Sequence, residues 1–259
     1  MLPAHYLCTL STTKRYFIEL AYNGTAYHGW QIQKNAISVQ EILNKVLSTL
    51  CGQNMETLGC GRTDTGVHAR QLFAHFDITP GTNILSSKFR ASVNALLPYD
   101  ISVKRFIEVA LDAHARFDAI IRSYEYHVHF DKDPFRHNVS CLLRDQPDVE
   151  LMNEAAGILM EYRDFSCFSK SNTQTFTNNC TIFRAEWLKT NDGLVFHISA
   201  DRFLRNMVRA IVGTLIKVGR KEIKPMELRQ IIESKNRSNA GESVPACGLY
   251  LTEVKYTYL

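Results

Sequence analysis

The sequence predicts an α+β protein of two halves that share one sheet, with helices packed against it. Three observations carry this expectation. Segments of alternating hydrophobicity and segments of helical periodicity interleave along the whole chain. The same plan of strands and helices recurs after Asp112. The regular short strand–helix units of a parallel barrel or doubly wound sheet are missing, which points away from those folds.

In chain order, residues 1–13 read as a short tail, 14–112 as the first half and 113–259 as the second. From Arg15 to Tyr22, Tyr16, Ile18, Leu20 and Tyr22 alternate with Phe17, Glu19 and Ala21, and Asn23-Gly24 then marks a turn. Ser38 to Cys51 is a helix. Ser38 and Glu41 have capping-box spacing there, and Val39, Ile42, Leu43, Val46, Leu47 and Leu50 fill one face. A strand over Gln71–Ile78, a helix from Ser86 to Leu97 closed by Pro98, and a strand over Ile101–Val109 complete this half.

The second half opens with a strongly alternating strand, Arg122–Phe130, with Tyr124, Tyr126, Val128 and Phe130 on one face. Asp148–Glu161 is helical. Phe165–Asn179, rich in Ser, Thr and Asn, reads as an exposed loop. Strands at Ile182–Leu188 and Leu194–Ala200 precede a helix over Arg202–Val218, a further helix over Pro225–Ser234 and a last strand over Leu249–Tyr256.

The 259 residues are 45% hydrophobic and 22% charged, enough for an ordinary core. A net charge of +4 permits an anionic partner without demanding one. Seven cysteines, an odd number without Cys-x-x-Cys spacing, argue against a disulfide framework and a structural zinc site. The N-terminus lacks the basic flank and apolar core of a secretory signal. No run of about 18 apolar residues is present, since Arg209 and Lys217 interrupt Met207–Val218. A soluble cytoplasmic protein is expected.

The most informative stretch is Gly59-Cys60-Gly61-Arg62-Thr63-Asp64-Thr65-Gly66-Val67-His68-Ala69. Its glycines let the backbone take positive φ and approach a ligand closely. A carboxylate at Asp64, beside a guanidinium, stays ionised and suits a nucleophile or base. An Asx-turn with a solvated Arg62 accounts for the same residues without chemistry. On the 202–218 helix the apolar side chains cover more than half the circumference, leaving Arg202, Arg205 and Arg209 on one arc with Gly213 a turn beyond Arg209. Such arginines need an acid or a phosphate unless they snorkel to water.

Several other engines are missing: there is no phosphate-binding P-loop, dinucleotide fingerprint, nucleophile elbow or His-Glu-x-x-His. His127 and His129 share a strand face but have no third ligand at suitable spacing, and read as surface residues rather than a metal pair. Asp64-Thr65-Gly66 matches the triplet of aspartic proteases. Those enzymes need two such aspartates sharing a proton, and this chain has one copy preceded by an arginine.

With these features in hand, the chain resembles the tRNA pseudouridine synthase A (TruA) family. Gly61-Arg62-Thr63-Asp64-Thr65-Gly66-Val67-His68-Ala69 is similar to that family's signature loop. Further matching stretches follow in order along the chain. The first is Tyr22-Asn23-Gly24 through Tyr27-His28-Gly29-Trp30-Gln31, and the second His114-Ala115-Arg116-Phe117-Asp118-Ala119 leading to Arg122-Ser123-Tyr124-Glu125-Tyr126. Phe203 through Met207-Val208-Arg209 to Ile211-Val212-Gly213-Thr214-Leu215, and Gly248-Leu249-Tyr250-Leu251, complete the set.

The resemblance implies a mainly antiparallel sheet continuous through both halves, with the active site in a basic cleft between them. It implies Asp64 as nucleophile, Arg209 as its ion-pair partner and Tyr124 as the ring stacked on the target uracil. Arg62, Thr63 and Leu249 are further implied substrate contacts. Arg116 and Arg205 are the residues expected on the RNA backbone, since positive charge supplies most sequence-independent RNA affinity. The implied reaction converts uridine to pseudouridine at positions 38, 39 or 40 of the tRNA anticodon stem-loop, with neither metal nor cofactor, in a homodimer. A non-catalytic RNA-binding protein on the same scaffold is the alternative, and a binder has no need of an acid facing phosphates.

Overall fold

The structure, a computed structural model, describes residues 13–79, 82–170 and 177–259, so the expected tail lies almost wholly outside the described residues. Strands are β1 (Lys14–Tyr22), β2 (Leu58–Gly59), β3 (His68–Ile78), β4 (Ile101–Val109), β5 (Ile121–His129), β6 (Cys141–Leu142), β7 (Ile182–Thr190), β8 (Gly193–Ala200) and β9 (Leu249–Lys255). Helices are α1 (Val39–Cys51), α2 (Ser87–Leu96), α3 (Val149–Ile158), α4 (Met207–Gly219) and α5 (Glu227–Glu233). No helix among the described residues is long and apolar enough to cross a membrane.

All nine strands join one sheet in the order β4-β1-β3-β9-β5-β8-β7, with β2 beside β3 and β6 beside β5. Every pairing is antiparallel except β3 with β9 and β5 with β6. The α+β class with a shared, mainly antiparallel sheet is thus what the chain adopts. Two apolar cores form against it. One gathers Phe17, Leu20, Leu43, Phe73, Val93 and neighbours. The other gathers Tyr126, Met152, Phe168, Phe196, Ile211 and neighbours. β9 contributes Leu249 to the second core and Leu251 and Val254 to the first. Tyr124 packs against both.

Local chemistry sets the helix starts. Ser38 Oγ accepts the Glu41 amide at 3.3 Å and Ser86 Oγ accepts the Phe89 amide at 3.1 Å, satisfying first-turn donors. Asp148 caps α3 in the same way, taking the Leu151 amide at 3.2 Å.

Three expectations need correction. The helix expected from Arg202 begins only at Met207, because Asn206 takes the left-handed conformation (φ 66°), which asparagine tolerates better than most residues. Asp201 Oδ1 meanwhile accepts the amides of Thr181 and Arg202, each at 2.7 Å, and turns the chain before the helix. Arg202 and Arg205 therefore lie off the helix rather than on an arc with Arg209. Secondly, His129 is buried, not a surface residue: β6 pairs alongside it, and its Nδ1 meets Ser140 Oγ at 3.0 Å. His127, beside it in sequence, is half-buried against Glu125 at 2.9 Å. Thirdly, the start of the loop expected to be exposed is core: Phe165, Cys167 and Phe168 are fully buried. Its polar composition hid an apolar Phe-x-Cys-Phe spacing.

Candidate active site

The parallel pairing of β3 and β9 positions the site. His68 lies opposite Tyr250 and Ala69 opposite Leu251, so the segments entering both strands arrive at the same end of the sheet. One is the glycine loop carrying Asp64. The other is the turn Ala246–Gly248. They touch, since a Cβ on Gly66 would stand 3.4 Å from Ala246 Cβ. The loop closes as a tight turn in which the Val67 amide donates to the Asp64 carbonyl at 3.1 Å. Gly66 holds φ 78° at the third position of that turn, where glycine is favoured.

The segment after β1 is a shelf for this loop. A Cβ on Gly24 would lie 2.0 Å from the Val67 carbonyl oxygen, and one on Gly29 (φ 83°) would lie 2.2 Å from that of Thr63. Only glycine permits so close an approach of two backbones. The Tyr22 hydroxyl meets Thr63 Oγ1 at 2.8 Å. His68 locks the far side of the loop. Its Nδ1 accepts the Gly24 amide at 3.0 Å, which leaves the proton on Nε2 to be donated to the Cys247 carbonyl at 3.1 Å. Burial holds the His68 imidazole below its ordinary pKa, in keeping with that neutral form.

Asp64 itself is neither buried nor free. One carboxylate oxygen is 3.7 Å from Arg209 Nη1 and the other 3.9 Å from Arg205 Nε. Arg209 sits in the first turn of α4, 21% exposed, with its Nε–H donated to the Val244 carbonyl at 2.7 Å. Arg205 is 60% exposed and reaches Asp64 because it precedes the helix. A carboxylate between two guanidiniums is oriented by both, and a nucleophile or base must be held in a fixed orientation.

Tyr124 lies on β5 opposite Leu251 in the β9 pairing, and Leu249 lies opposite Tyr126. The Tyr124 ring meets Phe203 edge-on, with centroids 5.1 Å apart and planes at 89°. Its phenol is pushed well above the ordinary tyrosine range, first by burial and then by Cys60 and Asp64, with Arg122 opposing. It is neutral at physiological pH. Leu249 is buried at the start of β9.

Arg122 binds the surrounding segments together. Its guanidinium donates to the carbonyls of Cys60 at 2.8 Å, Arg116 at 2.6 Å, Asp201 at 2.9 Å and Ala119 at 3.2 Å. Arg62, Arg116 and Arg202 gather nearby, and partial burial together with Arg62, Arg122 and Arg202 lowers the Arg116 pKa. None of Arg62, Arg116 and Arg202 has a carboxylate within 4.0 Å among the described residues. The structure thus brings Arg209 and Arg205 to Asp64, with Tyr124 near enough for Asp64 to act on its phenol, and gathers Arg62 and Arg116 near Arg122. Among the described residues, no group of three or more His, Cys, Asp or Glu could hold a metal ion.

Sequence reasoning missed three supporting residues, Tyr22, His68 and Arg122. All three stand in stretches already of interest, but His68 and Arg122 bond to backbone groups, which leave no residue pattern to read.

Comparison with known proteins agrees with this architecture. Residues 160–257 match the family described as tRNA pseudouridine synthase. Over nearly its whole length the chain is similar to proteins named tRNA pseudouridine synthase A. That of Bacteroides fragilis is 49% identical over 246 residues, covering 95% of this chain and 97% of its own. That of Bacteroides thetaiotaomicron is 51% identical over 247 residues, covering 94% and 91%. A more distant one, from Clostridium acetobutylicum, is 36% identical over 241 residues, covering 92% and 98%. The chain belongs to the tRNA pseudouridine synthase A family.

Proposed function

We propose that the protein isomerises uridine to pseudouridine in the anticodon stem-loop of tRNA, at positions 38, 39 or 40, with Asp64 as the catalytic carboxylate. The observation that carries this is the position of Asp64 between Arg209 and Arg205, at 3.7 and 3.9 Å, in a loop fixed from both sides. The reaction breaks the bond from the sugar to uracil nitrogen 1, turns the base, and joins the sugar to carbon 5. Carbon 5 gives up a proton and nitrogen 1 gains one, so no redox equivalent and no water is consumed. An ionised carboxylate serves whether it attacks the sugar, attacks the ring, or removes a sugar proton to give a glycal. Arg209 orients it in every route.

The target base must leave its stack, at a cost of a few kcal/mol, and stacking on an aromatic ring returns roughly 1–3 kcal/mol. Tyr124 is that ring in this reading, with Leu249 and Thr63 shaping the pocket. Arg62, Arg116 and Arg205 are the phosphate contacts, Arg205 also facing Asp64. The enzyme works as a homodimer in the cytoplasm. Asp64→Asn tests the assignment: pseudouridine formation on unmodified tRNA falls by roughly 10⁴-fold or more while tRNA affinity stays near wild type. Undiminished turnover in that variant would refute the role of Asp64, and binding without product in the wild type would favour a pure RNA binder.

A further inference from the structure

Phe117 is 74% exposed, although the residues around it are anchored. Ala113, Ala115 and Ala119 all point into the first core. The intervening backbone is pinned by side chains. His114 Nδ1 accepts the amides of Arg116 at 3.1 Å and Phe117 at 3.2 Å. His75 Nδ1 accepts the Ala115 amide at 3.2 Å. Asp118 takes the His114 amide and the Tyr258 hydroxyl, both at 2.7 Å. A rigid turn therefore holds an aromatic ring out in water, forfeiting its burial.

The ring is also backed by an imidazole and flanked by a guanidinium. The His114 imidazole lies 4.2 Å from it at 30° between planes, and the Arg116 guanidinium carbon 5.6 Å from its centroid. Its place is beside the candidate site, because one Arg122 nitrogen bonds both the Arg116 and the Cys60 carbonyls, and Cys60 stands four residues before Asp64. Arg62 and Arg202 add positive charge around Arg116. The nearest acid in sequence, Asp118, is occupied by the bonds just described. An aromatic ring among unpaired arginines suits a polyanion with free π-faces, which is the chemistry of unpaired nucleotides.

We propose that Phe117 is a stacking platform for an unpaired RNA base flanking the target uridine, with Arg116 on the adjoining phosphate. Extraction of the target leaves its neighbours without a stacking partner, and this ring supplies one. The proposal rests on the reading of the protein as a tRNA-modifying enzyme.

The test uses the full chain with unmodified tRNA and the variants F117A, F117L and F117W. F117A and F117L each raise the Kd for tRNA roughly tenfold, because leucine keeps apolar area and loses the π-face, whereas F117W binds like wild type. Trp30 and Trp187 are both 2% exposed, so an indole introduced at this position dominates the solvent-accessible fluorescence, and saturating tRNA quenches it. Wild-type affinity in F117L, or no quenching in F117W, overturns the platform. So does a change of oligomeric state in F117A with unaltered tRNA affinity, which would make Phe117 a protein contact. Failure of the underlying reading looks different: wild-type protein would then form no pseudouridine at all.

Discussion

Arg209 donates its Nε–H to the Val244 carbonyl at 2.7 Å, and that bond aims the rest of the guanidinium at Asp64, 3.7 Å away. The Val244 amide returns a bond to the Arg209 carbonyl at 3.3 Å. Gly213, one turn further along α4, clears space for the same segment, since a Cβ there would stand 1.8 Å from the Glu242 carbonyl oxygen. Lysine has a single ammonium and cannot serve Val244 and Asp64 with one planar fork. R209K is therefore expected to lower single-turnover pseudouridine formation by about 10²-fold while changing tRNA affinity by less than about 3-fold. Quench-flow measurement with labelled tRNA checks it, and an unchanged rate would show that charge alone suffices.

His68 joins the loop after β1 to the turn before β9 with one imidazole, through Gly24 and Cys247. Replacing it by alanine leaves the buried Gly24 amide and the part-buried Cys247 carbonyl without that partner. Each unsatisfied group costs about 1–3 kcal/mol, so H68A should lose roughly 2–4 kcal/mol of stability in urea melts. The Tyr250 ring, stacked on it at 4.5 Å, loses a neighbour too. Because the clamp sets the height of the Asp64 loop, turnover falls more than tRNA affinity does.

The strands and helices were legible because their periodicities are strong. β4 runs over Ile101–Val109 as read, and Ser38 and Ser86 cap the helices that their spacing announced. The start of α4 was not, because Arg202, Phe203, Leu204 and Arg205 are all compatible with a helix. What stops them is the left-handed Asn206 and the Asp201 turn, a backbone event that composition does not encode. The same holds at the site. The glycine loop marked itself, and its likeness to a known family suggested which other residues to watch. That Arg205 faces Asp64, or that Arg122 gathers four carbonyls, depends on where separate segments meet. Gly24 and Gly29 were visible as glycines, but the backbone that they make room for was not.

A pH dependence follows from His75. Its imidazole is held down to about 4, first by burial and then by Arg15 and His114, with Asp77 and Asp118 opposing. Folded protein keeps it neutral, whereas the unfolded chain takes up a proton near its ordinary value of about 6.5. Between these values the unfolded state binds more protons, so stability rises with pH and is lost as pH falls from about 6.5 to about 4. The slope is about 1.4 kcal/mol per pH unit, reaching roughly 3 kcal/mol. H75N offers an oxygen to the Ala115 amide without titrating, so it should flatten this acid limb in urea unfolding at pH 7 and pH 4.5. An acid limb as steep as that of wild type would place the titration elsewhere.

Gly29 offers the sharpest test of the shelf beneath Asp64. Its φ of 83° is costly for any residue with a Cβ, and that Cβ would fall 2.2 Å from the Thr63 carbonyl oxygen. Left-handed strain contributes about 1–2 kcal/mol, and relieving the clash means moving backbone rather than a flexible side chain. The neighbouring bonds resist that movement. The Gly29 carbonyl takes the Val39 amide at 3.2 Å and the Tyr27 carbonyl takes the Gly66 amide at 3.3 Å. G29A is expected to destabilise the fold by roughly 3 kcal/mol, within the upper range for single substitutions. In whatever folded protein remains, Thr63 and Asp64 are pushed away from the shelf, so kcat is expected to fall while tRNA affinity changes little. G52A is the control, because Gly52 also has positive φ (65°) but has nothing within 4 Å of its Cβ position. It should lose only the strain, about 1 kcal/mol, and keep full activity. Equal losses in the two variants would mean that backbone strain, and not contact with the Asp64 loop, is what Gly29 relieves.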